Sequence, residues 1–248
     1  MNVKRSLSRA IERAGIHTNR WAVDFLGGKL AAARYNIESQ HYLPQLGLTF
    51  IPQTFFALSA SAIRIILNDL VLHNRKHVLE LGAGMSTLYL AKVMSERSGS
   101  QLVTVENDLD WIEHLRGVAV TLGCERTIRF VHAPLVPTDD PIGATWYDAA
   151  PLRQAISELG FVDTLLVDGP KARGPNDDAT RKPALFFFRE ALNPAGSVVF
   201  LDDVGRAGER RIYDEWARTL NMQPVRTAEF CGLGILVPSD QPLRRAIV

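Results

Sequence analysis

The spacing of apolar residues changes character near residue 77. Towards the N-terminus, Val3, Leu7, Ala10, Ile11 and Ala14 recur at helical intervals in a stretch that also carries Lys4, Arg5, Arg9, Arg13 and Arg20 against Glu12. This pattern predicts a basic amphipathic helix. Such a helix can dock on its own domain, pair with a second copy of the chain, or lie on an anionic membrane surface. Residues 21–56 mix Trp21, Phe25, Tyr35, Tyr42, Phe50, Phe55 and Phe56 with Pro44 and Pro52, and read as a cap or lid. Ser59 or Ser61 is placed to cap a helix ending at Leu72.

From His77 onward, short apolar runs alternate with helical stretches. "HVLELG", "QLVTVE", "TIRFVHA", "TLLVDG" and "GSVVFLDD" read as strands. Between them "MSTLYLAKVMSE", "WIEHLRGVAVTLG" (capped by Asp108 or Asp110) and "ALFFFREAL" read as helices, and "ERRIYDEWARTL" is another. This alternation predicts an α/β fold, a parallel sheet wound on both faces. "PVRTAEF" and "GILVP" are joined only by Cys-Gly-Leu, too short for a crossover helix, so they should pair antiparallel. The predicted whole is a doubly wound sheet of seven strands, mostly parallel with an antiparallel last strand. Residues 1–75 form an N-terminal helical extension, and residues 76–248 form the main domain. Phe186, Phe187 and Phe188 should pack against the sheet.

Composition narrows the class. The chain has 248 residues, 46% of them hydrophobic, and a net charge of +1. That is enough for one sizeable core and too neutral for a dedicated nucleic-acid binder. Two cysteines, Cys124 and Cys231, are too few for a disulfide framework and fit a reducing compartment. No apolar run approaches the ~18 residues of a membrane helix, and the N-terminus lacks the apolar core of a signal peptide. The expectation is a soluble, cytoplasmic protein with a small-molecule substrate. A homodimer through the N-terminal helices is one arrangement open to it.

Three strand ends carry chemistry. "VLELGAGMST" places Gly82 and Gly84 where the first strand turns into a helix, allowing a tight turn and close backbone approach by a ligand. Glu80 sits two residues before the first glycine, where a carboxylate suits an ammonium better than a pyrophosphate. Thr87 stands where a dinucleotide fingerprint wants its third glycine. Glu106 ends the second strand, 24 residues after Gly82. Asp168 ends the fourth strand, and Asp202 and Asp203 end the fifth. These three carboxylates would converge at the carboxyl edge of the sheet, where a divalent cation would relieve their repulsion, and hard oxygen donors suit Mg²⁺.

The first stretch resembles motif I of the class I S-adenosylmethionine (SAM)-dependent methyltransferases, E/D-x-G-x-G-x-S/T, on a Rossmann-like fold. The resemblance implies that Glu106 takes the ribose hydroxyls and Glu80 the methionine end of SAM. Gly82, Ala83, Gly84, Ser86 and Asn107 would line the site, and His132 and Ala133 would border the adenine. Asp168 and Asp202-Asp203 are similar to the metal ligands of the catechol and caffeoyl-CoA O-methyltransferases, with Asp203 in place of their Asn. Lys171, three residues after Asp168, stands where the catechol branch has its general base. "DGP" and "LDD" also resemble a branch of class I methyltransferases in which these Asp residues would cap turns or touch only SAM.

The implied activity is oxygen methylation of a hydroxyl on an aromatic ring or sugar, with or without a metal. Two other functions use the same fold: a SAM-binding interaction module without catalysis, and a nicotinamide-dependent oxidoreductase. Near the site, Arg173 to Pro183 reads as a polar loop that could close over substrate or simply be solvated. Trp146 and Tyr147 could stack on a ring or pack in the core, and Arg206 could offset the Asp pair or bind an anionic substrate.

Overall fold

The structure, a computed structural model, describes residues 29–47, 57–138, 145–171, 180–192, 196–226 and 232–238. The basic amphipathic stretch at the N-terminus and Cys231 lie outside them. Residues 29–42 are helical (α1) and run into a short 3-10 turn, Leu43–Leu46. The Arg64 guanidinium lies 4.7 Å from the Tyr35 ring centre and 4.6 Å from that of Tyr42, which fixes α1 to the next helix. That helix, α2 (Ala60–Leu72), is capped by Ser59, whose hydroxyl accepts from the Ala62 N–H.

The strands are β1 (His77–Leu81), β2 (Gln101–Glu106), β3 (Ile128–His132), β4 (Leu135–Pro137), β5 (Thr145–Tyr147), β6 (Thr164–Val167), β7 (Val198–Leu201), β8 (Met222–Arg226) and β9 (Gly234–Pro238). The helices between them are α3 (Met85–Ser95), α4 (Leu109–Thr121), α5 (Ala149–Leu159), α6 (Pro183–Phe188) and α7 (Ala207–Thr219). Seven strands form one sheet in the order β3-β2-β1-β6-β7-β9-β8, and β4 and β5 pair separately as an antiparallel ribbon. β3, β2, β1, β6 and β7 are mutually parallel; β9 runs antiparallel to both β7 and β8. The α/β class and the antiparallel final pairing therefore stand as the alternation implied.

Successive strand residues feed opposite faces, the period of a buried parallel sheet. Val78, Leu102, Leu166, Val198 and Phe200 pack with α2, α3 and α4. Leu79, Leu81, Val103, Val105, Leu165, Val167, Val199 and Leu201 pack with α5, α6 and α7. Several details differ from the sequence expectation, among them helix α5 (Ala149–Leu159), which was not predicted. The β4–β5 ribbon was not legible, because three-residue strands carry too few positions to show a period. The aromatic helix ends at Phe188 and continues as a 3-10 turn, and of its three phenylalanines only Phe188 is fully buried while Phe186 is 43% exposed.

The strand order reverses between β1 and β6. Ligands of open α/β sheets bind outside the carboxyl ends at such a point. Here Gly82 and Gly169 cross: a Cβ on Gly82 would come within 2.8 Å of the Gly169 nitrogen, and Gly82 has φ +92°. No side chain fits at either position, so the chain keeps the switch point open down to bare backbone.

Candidate functional site

A cleft of two adjoining lobes, about 490 and 450 Å³, lies over these strand ends. Ala83, Glu106, Asn107, Asp168 and Lys171 line both lobes. Gly84, Ser86, Trp111 and Leu135 belong to the first, and Gly82, Tyr147, Arg181, Asp202, Asp203 and Arg206 to the second.

Glu80 is not on the wall. It is fully buried, and its two oxygens accept hydroxyl hydrogen bonds from Ser86 and Thr87, both 2.6 Å long. Thr87 Oγ1 in turn accepts from the Gly84 N–H at 3.0 Å. The carboxylate thus ties the first turn of α3 to β1. Burial pushes its pKa up to about 7, against the pull of the Ser86, Thr87 and Thr104 hydroxyls. It reaches the cleft through Ser86 and, by way of Thr87, the Gly84 N–H, and so is a positioning residue. The sequence pattern offered a ligand contact; the hydroxyls of Ser86 and Thr87 hold the carboxylate inside instead.

Glu106 does face the cleft. Its Oε1 accepts from the backbone of Asn107 at 2.6 Å and Asp108 at 3.0 Å, and its Oε2 accepts from Ala83 N–H at 3.2 Å. Burial raises its pKa, and these three N–H groups oppose the rise. A carboxylate has about four acceptor positions, so one remains for a ligand hydroxyl. Asp108 caps α4 by accepting from Trp111 N–H, and the Trp111 indole donates to the Ala83 carbonyl at 2.8 Å. Trp111 is a wall residue that the sequence reading took only as the start of a helix.

His132 and Ala133 do not line the cleft. Ala133 is buried, and exposed His132 braces the Asn107 carbonyl at 3.2 Å. Leu135 and Trp111 supply the apolar walls instead. The Tyr147 hydroxyl is buried against Gly169 with no hydrogen-bond partner among the described residues, leaving a donor on the wall of the second lobe. Trp146 is buried in the core.

At the other strand ends, one oxygen each of Asp168, Asp202 and Asp203 lies within 4.8 Å of the other two. That spread suits a hard cation with oxygen ligands at ~2.1 Å. The same carboxylates are already engaged. Arg181, its side chain 7% exposed, lies 3.2 Å from Asp168 Oδ1 and 3.2 Å from Asp203 Oδ2. It also donates to the Asp168 carbonyl at 2.7 Å and the Asp202 carbonyl at 3.0 Å. Arg206 adds a second cation, 2.9 Å from Asp203 Oδ2. Burial, with Asp202 alongside, still pushes Asp168 well above the usual carboxylate range, while Arg181 pulls it back. Asp203 has φ +64°, a turn that aims its carboxylate back at the two arginines. Arg181 had been grouped with the polar loop. Residues 172–179 lie outside the described residues, but Thr180 and Arg181 are buried.

No protein-family model matches the sequence, and no curated protein matches it. Solved structures do. The O-methyltransferase TomG from Streptomyces achromogenes, crystallised in complex with SAM, is 17% identical over 86% of this chain and 90% of its own, with a TM-score of 0.52. A putative caffeoyl-CoA O-methyltransferase from Staphylococcus aureus is 13% identical over 82% and 92%, with a TM-score of 0.51. An SAH-bound methyltransferase from Podospora anserina is 14% identical over 82% and 86%, with a TM-score of 0.54. At this identity the likeness shows the fold alone, a Rossmann-like doubly wound sheet shared with these proteins.

Proposed function

We propose that the protein is a SAM-dependent methyltransferase acting on an oxygen of a small hydroxylated molecule. The observation that carries this reading is Glu106, a strand-end carboxylate on the wall of the cleft with an acceptor position left over. It stands at the switch point of a fold shared with proteins crystallised with SAM or SAH. Glu106 accepts from the donor's ribose. Ser86 and the Gly82–Gly84 backbone border its amino-acid end, and Trp111 and Leu135 flank its base.

The donor supplies a methyl group on a sulfonium; the sulfur keeps the bonding pair when the methyl moves to oxygen. The chain's main task is alignment, for which effective molarities are worth ~7–11 kcal/mol. Lys171, on the wall of both lobes, takes the acceptor's hydroxyl proton when it is itself neutral, a general-base contribution of about 10²–10⁴-fold. A divalent ion fits the spacing of the three Asp oxygens, but Arg181 already pairs with Asp168 and Asp203, and Arg206 with Asp203. No step is therefore assigned to a metal.

Incubation with methyl-tritiated SAM and a panel of phenols, catechols and sugars tests the activity. Label should pass to at least one hydroxyl acceptor. Binding of SAH without transfer to any acceptor, in a panel extended to amines and thiols, would reduce the protein to a SAM-binding module.

A further inference from the structure

The three converging carboxylates call for a cation, and the second lobe already contains one. The Arg181 guanidinium lies at the ends of β6 and β7, 3.2 Å from two of the three carboxylates. It spans the Asp168 and Asp203 carboxylates and the Asp168 and Asp202 carbonyls. It is buried and multiply hydrogen-bonded, so it is part of the wall rather than a side chain passing by. Three carboxylates against Arg181 and Arg206 keep one net negative charge, as they would against one divalent ion, so position decides: Arg181 already occupies oxygens of Asp168 and Asp203. A planar guanidinium also spreads its charge over several donors, which suits a cage made of two carboxylates and two carbonyls.

We propose that Arg181 is the resident cation of this lobe: the Asp168, Asp202 and Asp203 trio cages the protein's own guanidinium, and the cleft works without a divalent metal. The cage is a statement about this chain's residues. Metal-free methyl transfer follows from it only if the methyltransferase reading also holds. Arg181 lines the lobe together with Tyr147 and Lys171. The acceptor's hydroxyl is then oriented by side-chain donors. Chelation by a metal, which would demand two adjacent oxygens, is not needed, so single hydroxyls qualify as acceptors as well as vicinal diols.

The test uses Mn²⁺ as probe, its binding read by electron paramagnetic resonance on the full chain. Wild type should leave Mn²⁺ free, and its melting temperature should not respond to the ion. Arg181→Gln vacates the cage and should gain a site for one Mn²⁺ per chain, with a melting temperature that rises when Mn²⁺ is added. Adding Asp202→Ala to that variant should abolish the gain. Wild type that binds one Mn²⁺, lost in Asp202→Ala, would overturn the proposal even if Arg181→Gln failed to fold. A folded Arg181→Gln that binds no Mn²⁺ would overturn it too. Calorimetry of wild type with SAH is the separate arm. No SAH binding would sink the methyltransferase reading and leave the cage standing.

Discussion

The carboxyl edge of the sheet holds two acidic clusters that solve the same electrostatic problem differently. At the ends of β1 and β2, Glu80 and Glu106 are satisfied by neutral donors: two hydroxyls for Glu80, three backbone N–H groups for Glu106. At the ends of β6 and β7, Asp168 and Asp203 pair with guanidinium groups, and Arg181 also donates to the Asp202 carbonyl. The first cluster has no cation beside it among the described residues and suits a ligand that brings its own positive charge. The second has two cations already in place, which lessens that demand. One edge thus offers two lobes of different electrostatic character.

Removing the balancing charge should produce the largest effect. Arg181→Met leaves the half-buried Asp168 carboxylate without its guanidinium while Asp203 keeps Arg206, at a cost of about 3 kcal/mol in chemical denaturation, the lower end for breaking a buried pair. A change under about 1 kcal/mol would mean that the two clusters are not distinguished by Arg181. Next comes the pH response of the first cluster. Glu80 titrates near 4.5 when exposed and at about 7 in the fold, so the folded chain holds a proton that the unfolded chain releases in that window. Its stabilising contribution is complete below about pH 4.5 and is lost as pH rises through 7, a swing of up to about 3 kcal/mol. Glu80→Gln should flatten this part of the stability profile; an unchanged profile would place the titration elsewhere.

Glu106→Ala should weaken SAH binding by about 10–100-fold, the value of hydrogen bonds to a charged group, with the fold retained by circular dichroism. The same substitution should leave Mn²⁺ behaviour untouched, which keeps the two clusters separate. The smallest effect is Asp108→Ala, which removes the α4 cap and should cost about 1 kcal/mol.

The two clusters were also unequally legible in the sequence. The doubly wound sheet follows from alternating apolar runs, and the Gly82–Gly84 bend with Glu106 follows from residues adjacent in the chain. Glu80 was located, but its contacts with Ser86 and Thr87 were not foreseen. The Ser86 and Thr87 hydroxyls lie only six and seven residues on, yet a one-dimensional pattern does not say which way a strand-end side chain turns. The partner of the Asp trio was hidden for a different reason. Arg181 lies 13 residues from Asp168 and 21 from Asp202, at the far side of a polar stretch whose composition signals solvent. Only the fold brings the start of α6 back under β6 and β7. His132 and Ala133 were assigned by position at a strand end, whereas the wall at that point is built by Leu135 and Trp111, whose side chains face the cleft.

The central claim is that the cleft over β1, β2 and β6 accepts a sulfonium nucleoside. Isothermal titration of the full-length protein with SAH tests it most directly. A saturable heat with one site per chain, competed by SAM, is the predicted result. A flat titration with a folded protein, for SAH and SAM alike, would contradict the account.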